Sequence, residues 1–290
     1  MRGCVFVTAL YDLGFHEANP HRKPIEHYLK DKHCQWVLQL RPLVLFTESR
    51  LVERIRQKFI NSDEITIIIC EFDDLRWHMP TPDEIPYITS TPVKDTLSHL
   101  QLQWEKFEMI AKVAQEFPAD AYVWADFGLG AVLHDVPESY PEMAMLGATY
   151  PVNKFTCTVI NPVTPAEFDN RKTYYERWRY RVAGGFWSVG RNVMPEFSKF
   201  VRREIAWLRL EHRTPTDEDI LGRFVYQFPE LCRIYFGDYG SLVANRVAGF
   251  IKYDTEVAAQ AMHKAQMYRP EYIQNMALAS GITPTHESKE

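Results

Sequence analysis

Three short runs of this chain hold residue types that can do chemistry. The first, Tyr122-Val123-Trp124-Ala125-Asp126-Phe127-Gly128, is an apolar run ending in an aspartate, with a glycine two residues on. An acid at the C-terminal end of a central strand sits where open α/β sheets bind ligands. Its carboxylate can ligate Mg²⁺ or Mn²⁺, hard cations that also hold phosphate oxygens. Asp126 is equally suited to capping the turn that follows the strand. The second run, Val182-Ala183-Gly184-Gly185-Phe186-Trp187-Ser188-Val189-Gly190, sets paired glycines ahead of an aromatic strand. That leaves a bare backbone surface for a sugar or phosphate. It is neither a dinucleotide fingerprint nor a P-loop, and a hairpin glycine pair is the simpler account. The third, Thr216-Asp217-Glu218-Asp219, heads an apolar helical pattern. Thr216 is placed as N-cap, Asp219 completes a capping-box variant, and three acids suit the positive end of the helix dipole. An acid beyond those needs can serve as general base or hold a sugar hydroxyl.

Other groups carry less. Glu71, Asp73 and Asp74 follow an apolar run and read as a solvated strand exit, or as holders of a ribose or metal. Lys106 lies on the helix before Asp126, where it would meet phosphate charge or simply face water. Tyr174–Arg181 interleaves aromatics with arginines, which suits either a polyanion or a half-solvated helix with snorkelling Arg. The five cysteines are scattered with no CxxC pair, which is not a disulfide framework, and the ten histidines show no HExxH or His-x-His spacing, which disfavours a zinc hydrolase. No G-x-S-x-G elbow exists.

These groups need elements to position them. Cys4–Leu10, Leu43–Phe46, Ile65–Cys70 and Ala121–Ala125 are nearly continuous apolar runs, expected as strands covered on both faces. Helices are expected at Pro24–Gln39, at Ser49–Ile60 with Ser49 as cap, at Asp95–Phe117, at Pro195–Glu211 and at Asp217–Gln227. His78–Pro92, with four prolines, is expected as a loop, and Asn161–Arg171 as irregular. Strand alternating with helix means an α/β domain with a parallel or mixed sheet. One continuous domain over 1–281 is expected, followed by a frayed polar tail, 282–290.

Composition narrows the function classes. The 290 residues are 46% hydrophobic and 24% charged with a net charge of −5, which excludes disorder and a basic nucleic-acid-coating surface. No run reaches the length of a membrane span. The N-terminal apolar stretch reads as a core strand rather than a leader, and the free cysteines point to the cytoplasm. Aromatics make up 13% of the chain. Most are expected in the core, with Tyr11, Trp124, Phe127, Phe186 and Trp187 flanking the site.

In order along the chain stand Val5-Phe6-Val7-Thr8-Ala9-Leu10-Tyr11-Asp12, Lys106, Val123-Trp124-Ala125-Asp126-Phe127-Gly128, Ala183-Gly184-Gly185-Phe186, Asp217-Glu218, and Gly237-Asp238-Tyr239 ahead of Asn245. This series resembles the HtrL/YibB family of glycosyltransferases, associated with bacterial and viral surface polysaccharides. The resemblance implies a GT-A-like fold, a Rossmann-like mixed central sheet flanked by helices. It also implies transfer of a sugar from a UDP- or GDP-linked donor to a carbohydrate hydroxyl, assisted by Mn²⁺ or Mg²⁺. On this reading Thr8, Ala9, Leu10 and Tyr11 line the nucleotide pocket, and Lys106 and Trp124 approach the donor. Asp126 takes the place of the metal-binding acid of a D-x-D motif, Gly184 and Gly185 floor the sugar site, and Asp217 or Glu218 reaches the reacting sugars. Trp124 stands where D-x-D would place its first acid. The metal shell then needs Asp238, His263 or water, unless transfer is metal-independent. An inverting transfer requires a base, Asp217 or Glu218; a retaining one makes both acids substrate holders. Two rivals are a phosphate-handling hydrolase with a metal between Asp126 and Asp73 or Asp74, and a degenerate carbohydrate- or nucleotide-binding protein.

Overall fold

The four expected apolar runs all become strands, and three more complete one sheet. The computed structural model describes residues 3–16, 23–59, 63–77, 96–133, 145, 150–161, 168–176, 181–236, 239 and 242–243. In chain order these contain β1 (Cys4–Leu10), α1 (Leu13–His16), α2 (Ile25–Tyr28), α3 (Asp31–Leu38), β2 (Leu43–Thr47), α4 (Val52–Arg56), β3 (Ile65–Ile69), α5 (Leu97–Glu116) and β4 (Ala121–Ala125). There follow β5 (Phe155–Val159), α6 (Arg171–Tyr174), β6 (Phe186–Gly190), α7 (Met194–Leu210), α8 (Asp217–Gln227) and β7 (Cys232–Phe236). The sheet order is β3-β2-β1-β4-β6-β5-β7. Only β6 runs against its neighbours β4 and β5. The C-terminal ends of the other six strands and the start of β6 therefore share one edge. The expected α/β class, a mixed central sheet flanked by helices, is what the chain adopts.

Burial on both faces explains the unbroken apolar runs of β1, β2 and β4. β3, expected to be covered likewise, is instead an edge strand that is half-buried to exposed, with Ile69 open to solvent. Along β4, Tyr122 and Trp124 join one core layer with Trp104, Ile110, Phe197 and Phe224 of α5, α7 and α8. Ala121, Val123 and Ala125 join the other, with Ile25, Trp36 and Val37 from α2 and α3. Most of the described aromatics go into these layers. Phe155 stacks on Phe197 at 5.2 Å, and Trp124 on Trp187 at 6.4 Å.

Three expectations need correction. The span Pro24–Gln39 divides, with Lys30 in extended backbone between α2 and α3. On one continuous helix Cys34 would lie half a turn around from Ile25; the break lets both be buried. Ser49 caps nothing: it opens a 3₁₀ turn, Ser49–Leu51, and its amide donates to Glu71 at 3.0 Å. The helix after it ends at Arg56 rather than Ile60. Thr216 has N-cap backbone geometry, but no side-chain cap bond forms. Its hydroxyl meets Asp219 at 3.4 Å instead. The proline-rich span, the tail 282–290, the domain limit at 281, Asp238, Asn245 and His263 lie outside the described residues.

Candidate active site

The shared strand edge gathers most of the candidate residues around one ammonium group. Lys106 projects from α5, and the exit from β4, the start of α8 and the segment before β6 converge on it. Its Nζ donates to Asp217 Oδ2 at 2.9 Å and to the Gly184 carbonyl at 3.3 Å, and pairs with Asp126 Oδ1 at 3.0 Å. All three of its hydrogens are thereby spent on protein groups. Burial alone would lower the pKa of this lysine, but Asp126 and Asp217 outweigh it and hold the group above its ordinary value.

The two carboxylates differ in what they leave open. The Asp217 side chain is 1% exposed, and its Oδ1 accepts the Glu218 amide at 3.0 Å while Oδ2 takes Lys106. Burial pushes its pKa up, against the pull of Lys106. The Asp126 side chain is 42% exposed. Its Oδ1 accepts the Trp124 indole N–H at 2.7 Å, and its amide donates to the Gly185 carbonyl at 2.8 Å. Trp124, at 2% exposure, thus reaches the site through Asp126, whose carboxylate its indole N–H holds.

Gly184 is required for contact rather than flexibility. A Cβ there would lie 2.6 Å from Asp217 Oδ2. At Gly185 the nearest atom would be Asp126 Oδ2, at 3.3 Å. The pair therefore lets both carboxylates press against bare backbone. The Gly184 amide donates to Glu218 Oε1 at 3.3 Å, and Tyr239 Oη donates to the same oxygen at 2.6 Å. Glu218 Oε2 is buried with no hydrogen-bond partner among the described residues. Burial, then the Asp217 charge, pushes the Glu218 pKa up to about 8.

Thr8, Ala9, Leu10 and Tyr11 end β1 on the same edge, between β2 and β4. Thr8 is fully buried, Leu10 and Tyr11 nearly so, and Ala9 is partly open. Tyr11 packs edge-on against Phe72 at 6.0 Å. Tyr11, Trp124, Phe127, Phe186 and Trp187 are all buried, so none of these rings offers an open face.

Two groups on this edge escaped sequence reasoning. Buried Glu48, just after β2, gathers the Asp12 amide at 3.1 Å, His16 Nε2 at 2.5 Å and Arg50 at 3.0 Å. Its only sequence signal was an acid at a strand exit, the signal that also picked out Glu71, Asp73 and Asp74. Tyr239 had none beyond its place in a motif. Asp73 and Asp74 are exposed on a 3₁₀ turn after β3. Three strand spacings, roughly 14 Å, separate that strand from β4, so Asp126 and this pair do not share a cation. Arg181 is buried over Tyr174, at 3.9 Å from Asp219, not on a solvated helix.

Among the described residues no three His, Cys, Asp or Glu side chains form a group able to hold a metal. Nor is any helix there long and apolar enough to cross a membrane. No family model matches the chain, and no curated protein matches it. The resemblance to the HtrL/YibB family finds no support in either. The chain is similar to the crystal structure of mouse xyloside xylosyltransferase 1 in its apo form. The identity is 10%, the TM-score 0.44, and the match covers 80% of this chain and 84% of that one. So loose a likeness transfers neither a residue nor a substrate.

Proposed function

We propose that this protein is a glycosyltransferase, moving a sugar from a nucleoside diphosphate donor to a hydroxyl of a carbohydrate acceptor. The observation that carries the reading is the convergence of Asp126, Asp217, Glu218 and Lys106 on the bare Gly184-Gly185 backbone, at the ligand-binding edge of a mixed sheet. Asp126 is the acid with solvent access, and it faces the donor. Lys106 reaches the donor only through Asp126, whose position it fixes together with Trp124. At the end of β1 only Ala9 is partly open, and it supplies the strand's part of the nucleotide wall.

Of the two candidate bases, Glu218 is the better placed. Asp217 has both oxygens engaged, whereas Glu218 keeps Oε2 for an incoming group. In the step proposed, the acceptor oxygen forms a bond to the anomeric carbon as the bond from that carbon to the diphosphate oxygen breaks. The diphosphate leaves with the electron pair, and the acceptor proton passes to Glu218 Oε2. A base in this role is what an inverting transfer needs.

A divalent cation fits only a minimal site here. Trp124 and Lys106 occupy Asp126 Oδ1, which leaves Oδ2 to hold it, with donor phosphates and water supplying the remaining ligands. When bound, Mn²⁺ or Mg²⁺ would neutralise charge on the leaving diphosphate.

Calorimetric titration of the pure protein with UDP and with GDP, each with and without Mn²⁺, tests the reading. Saturable binding of one nucleotide is expected; absence of binding by both overturns it.

A further inference from the structure

We propose that Tyr239 is a positioning residue for Glu218, fixing one carboxylate oxygen so that the other is presented to the acceptor hydroxyl; this rests on the glycosyl-transfer reading above. Tyr239 lies beyond β7, so it brings a third part of the chain to a carboxylate already touched by α8 and by the segment before β6. Tyr239 Oη at 2.6 Å and the Gly184 amide at 3.3 Å both donate to Oε1. Two donors on one oxygen set the orientation of the whole carboxylate group. Oε2 is then left buried and unpartnered among the described residues. An unmet buried acceptor is costly in a folded chain, and an acceptor hydroxyl would satisfy it.

The charges around Glu218 define what Tyr239 contributes. Asp217 and Asp219 face it from its own helix, and both favour the protonated acid. Lys106 and His99, from α5, act on Asp217 beside it. The Gly184 amide and the Tyr239 hydroxyl are the donors that favour the ionised form. The tyrosine therefore both aims the carboxylate and lowers the pH at which it becomes a proton acceptor.

Tyr239→Phe keeps the ring and removes only the hydroxyl. In the full-length protein at saturating donor, the acid-side limb of the kcat–pH profile should move up by about one pH unit. KM for the donor should stay within about twofold. A purely structural role would lower kcat by the same factor at every pH. In Glu218→Gln the limb should vanish, and adding Tyr239→Phe to it should cost nothing further. Carboxyl NMR of protein labelled with ¹³C-glutamate gives a readout independent of turnover. The Glu218 signal, identified by its loss in Glu218→Gln, should titrate at higher pH in Tyr239→Phe. An unmoved limb together with an unmoved titration overturns the inference. Wild-type protein that transfers no sugar would sink the functional reading, while the NMR titration would still decide the coupling of the two residues.

Discussion

Lys106 and Asp217, 111 residues apart in the chain, meet at 2.9 Å with almost no solvent access. The pair ties the middle of α5 to the first turn of α8, and through Gly184 and Asp126 it ties both to the strand ends. Removing one member of such a pair strands a charge in the interior, whereas replacing both need not. Lys106→Met should destabilise the fold by about 3–5 kcal/mol, read from urea unfolding. The double variant Lys106→Met/Asp217→Leu should recover a large part of that loss. If the single variant unfolds within about 1 kcal/mol of wild type, the pair does not organise the site.

The two glycines should respond unequally to alanine. Gly184→Ala drives a methyl group to 2.6 Å from Asp217 Oδ2, which must separate Asp217 from Lys106 or displace the strand entry. Gly185→Ala asks only a small adjustment of Asp126, at 3.3 Å. Overpacking of the first kind costs about 1–3 kcal/mol. Gly184→Ala should lower both the melting temperature and nucleotide affinity, and Gly185→Ala should affect affinity alone. Equal losses of stability would contradict the steric account.

Trp124→Phe tests whether the indole N–H, rather than the ring, matters to Asp126. Phenylalanine retains an aromatic partner for Trp187 while deleting the 2.7 Å hydrogen bond. A hydrogen bond to a charged group contributes about 1.5–3 kcal/mol, so donor affinity should fall roughly tenfold or more. Unchanged affinity would remove Trp124 from the site.

Stability should fall as pH rises, against the usual trend for carboxylates. In the fold burial raises Glu218 from 4.5 to about 8, Asp219 from 3.8 to about 7 and Glu105 from 4.5 to about 7. Between the unfolded and folded values the native state holds more protons than the unfolded chain. Their contribution is complete below about pH 4 and disappears as pH climbs through 7 to 8. The urea midpoint should therefore drop between about pH 5 and pH 8.5, and Glu218→Gln should flatten the upper part of the slope. A midpoint that rises over this range would contradict the buried protonation of these acids.

Strands β1, β2 and β4 were legible in the sequence because burial on both faces removes polar interruptions, as in Ala121–Ala125. β5 and β7, interrupted by Thr156, Thr158 and Arg233, were not placed. The long helices were legible because α5 and α7 each bury one apolar stripe. Asp126 and the Gly184-Gly185 pair were legible because an acid at a strand exit and paired glycines are local signals. The partnerships were not. Nothing near Lys106 in the chain announces that three separate elements will consume its hydrogens, and Tyr239 meets Glu218 only because β7 returns the chain to the same edge. The split after Tyr28 was hidden because each half keeps helical spacing, while only the sheet determines which side each half must bury.

The most direct measurement is a screen of nucleotide-sugar donors with mixed carbohydrate acceptors, read by product mass, on the wild-type chain and on Asp126→Ala. The account predicts that the wild type releases nucleoside diphosphate and adds one sugar mass to an acceptor with at least one donor, and that Asp126→Ala folds normally but loses this turnover. Turnover retained in Asp126→Ala, or no transfer by the wild type from any donor, would contradict it.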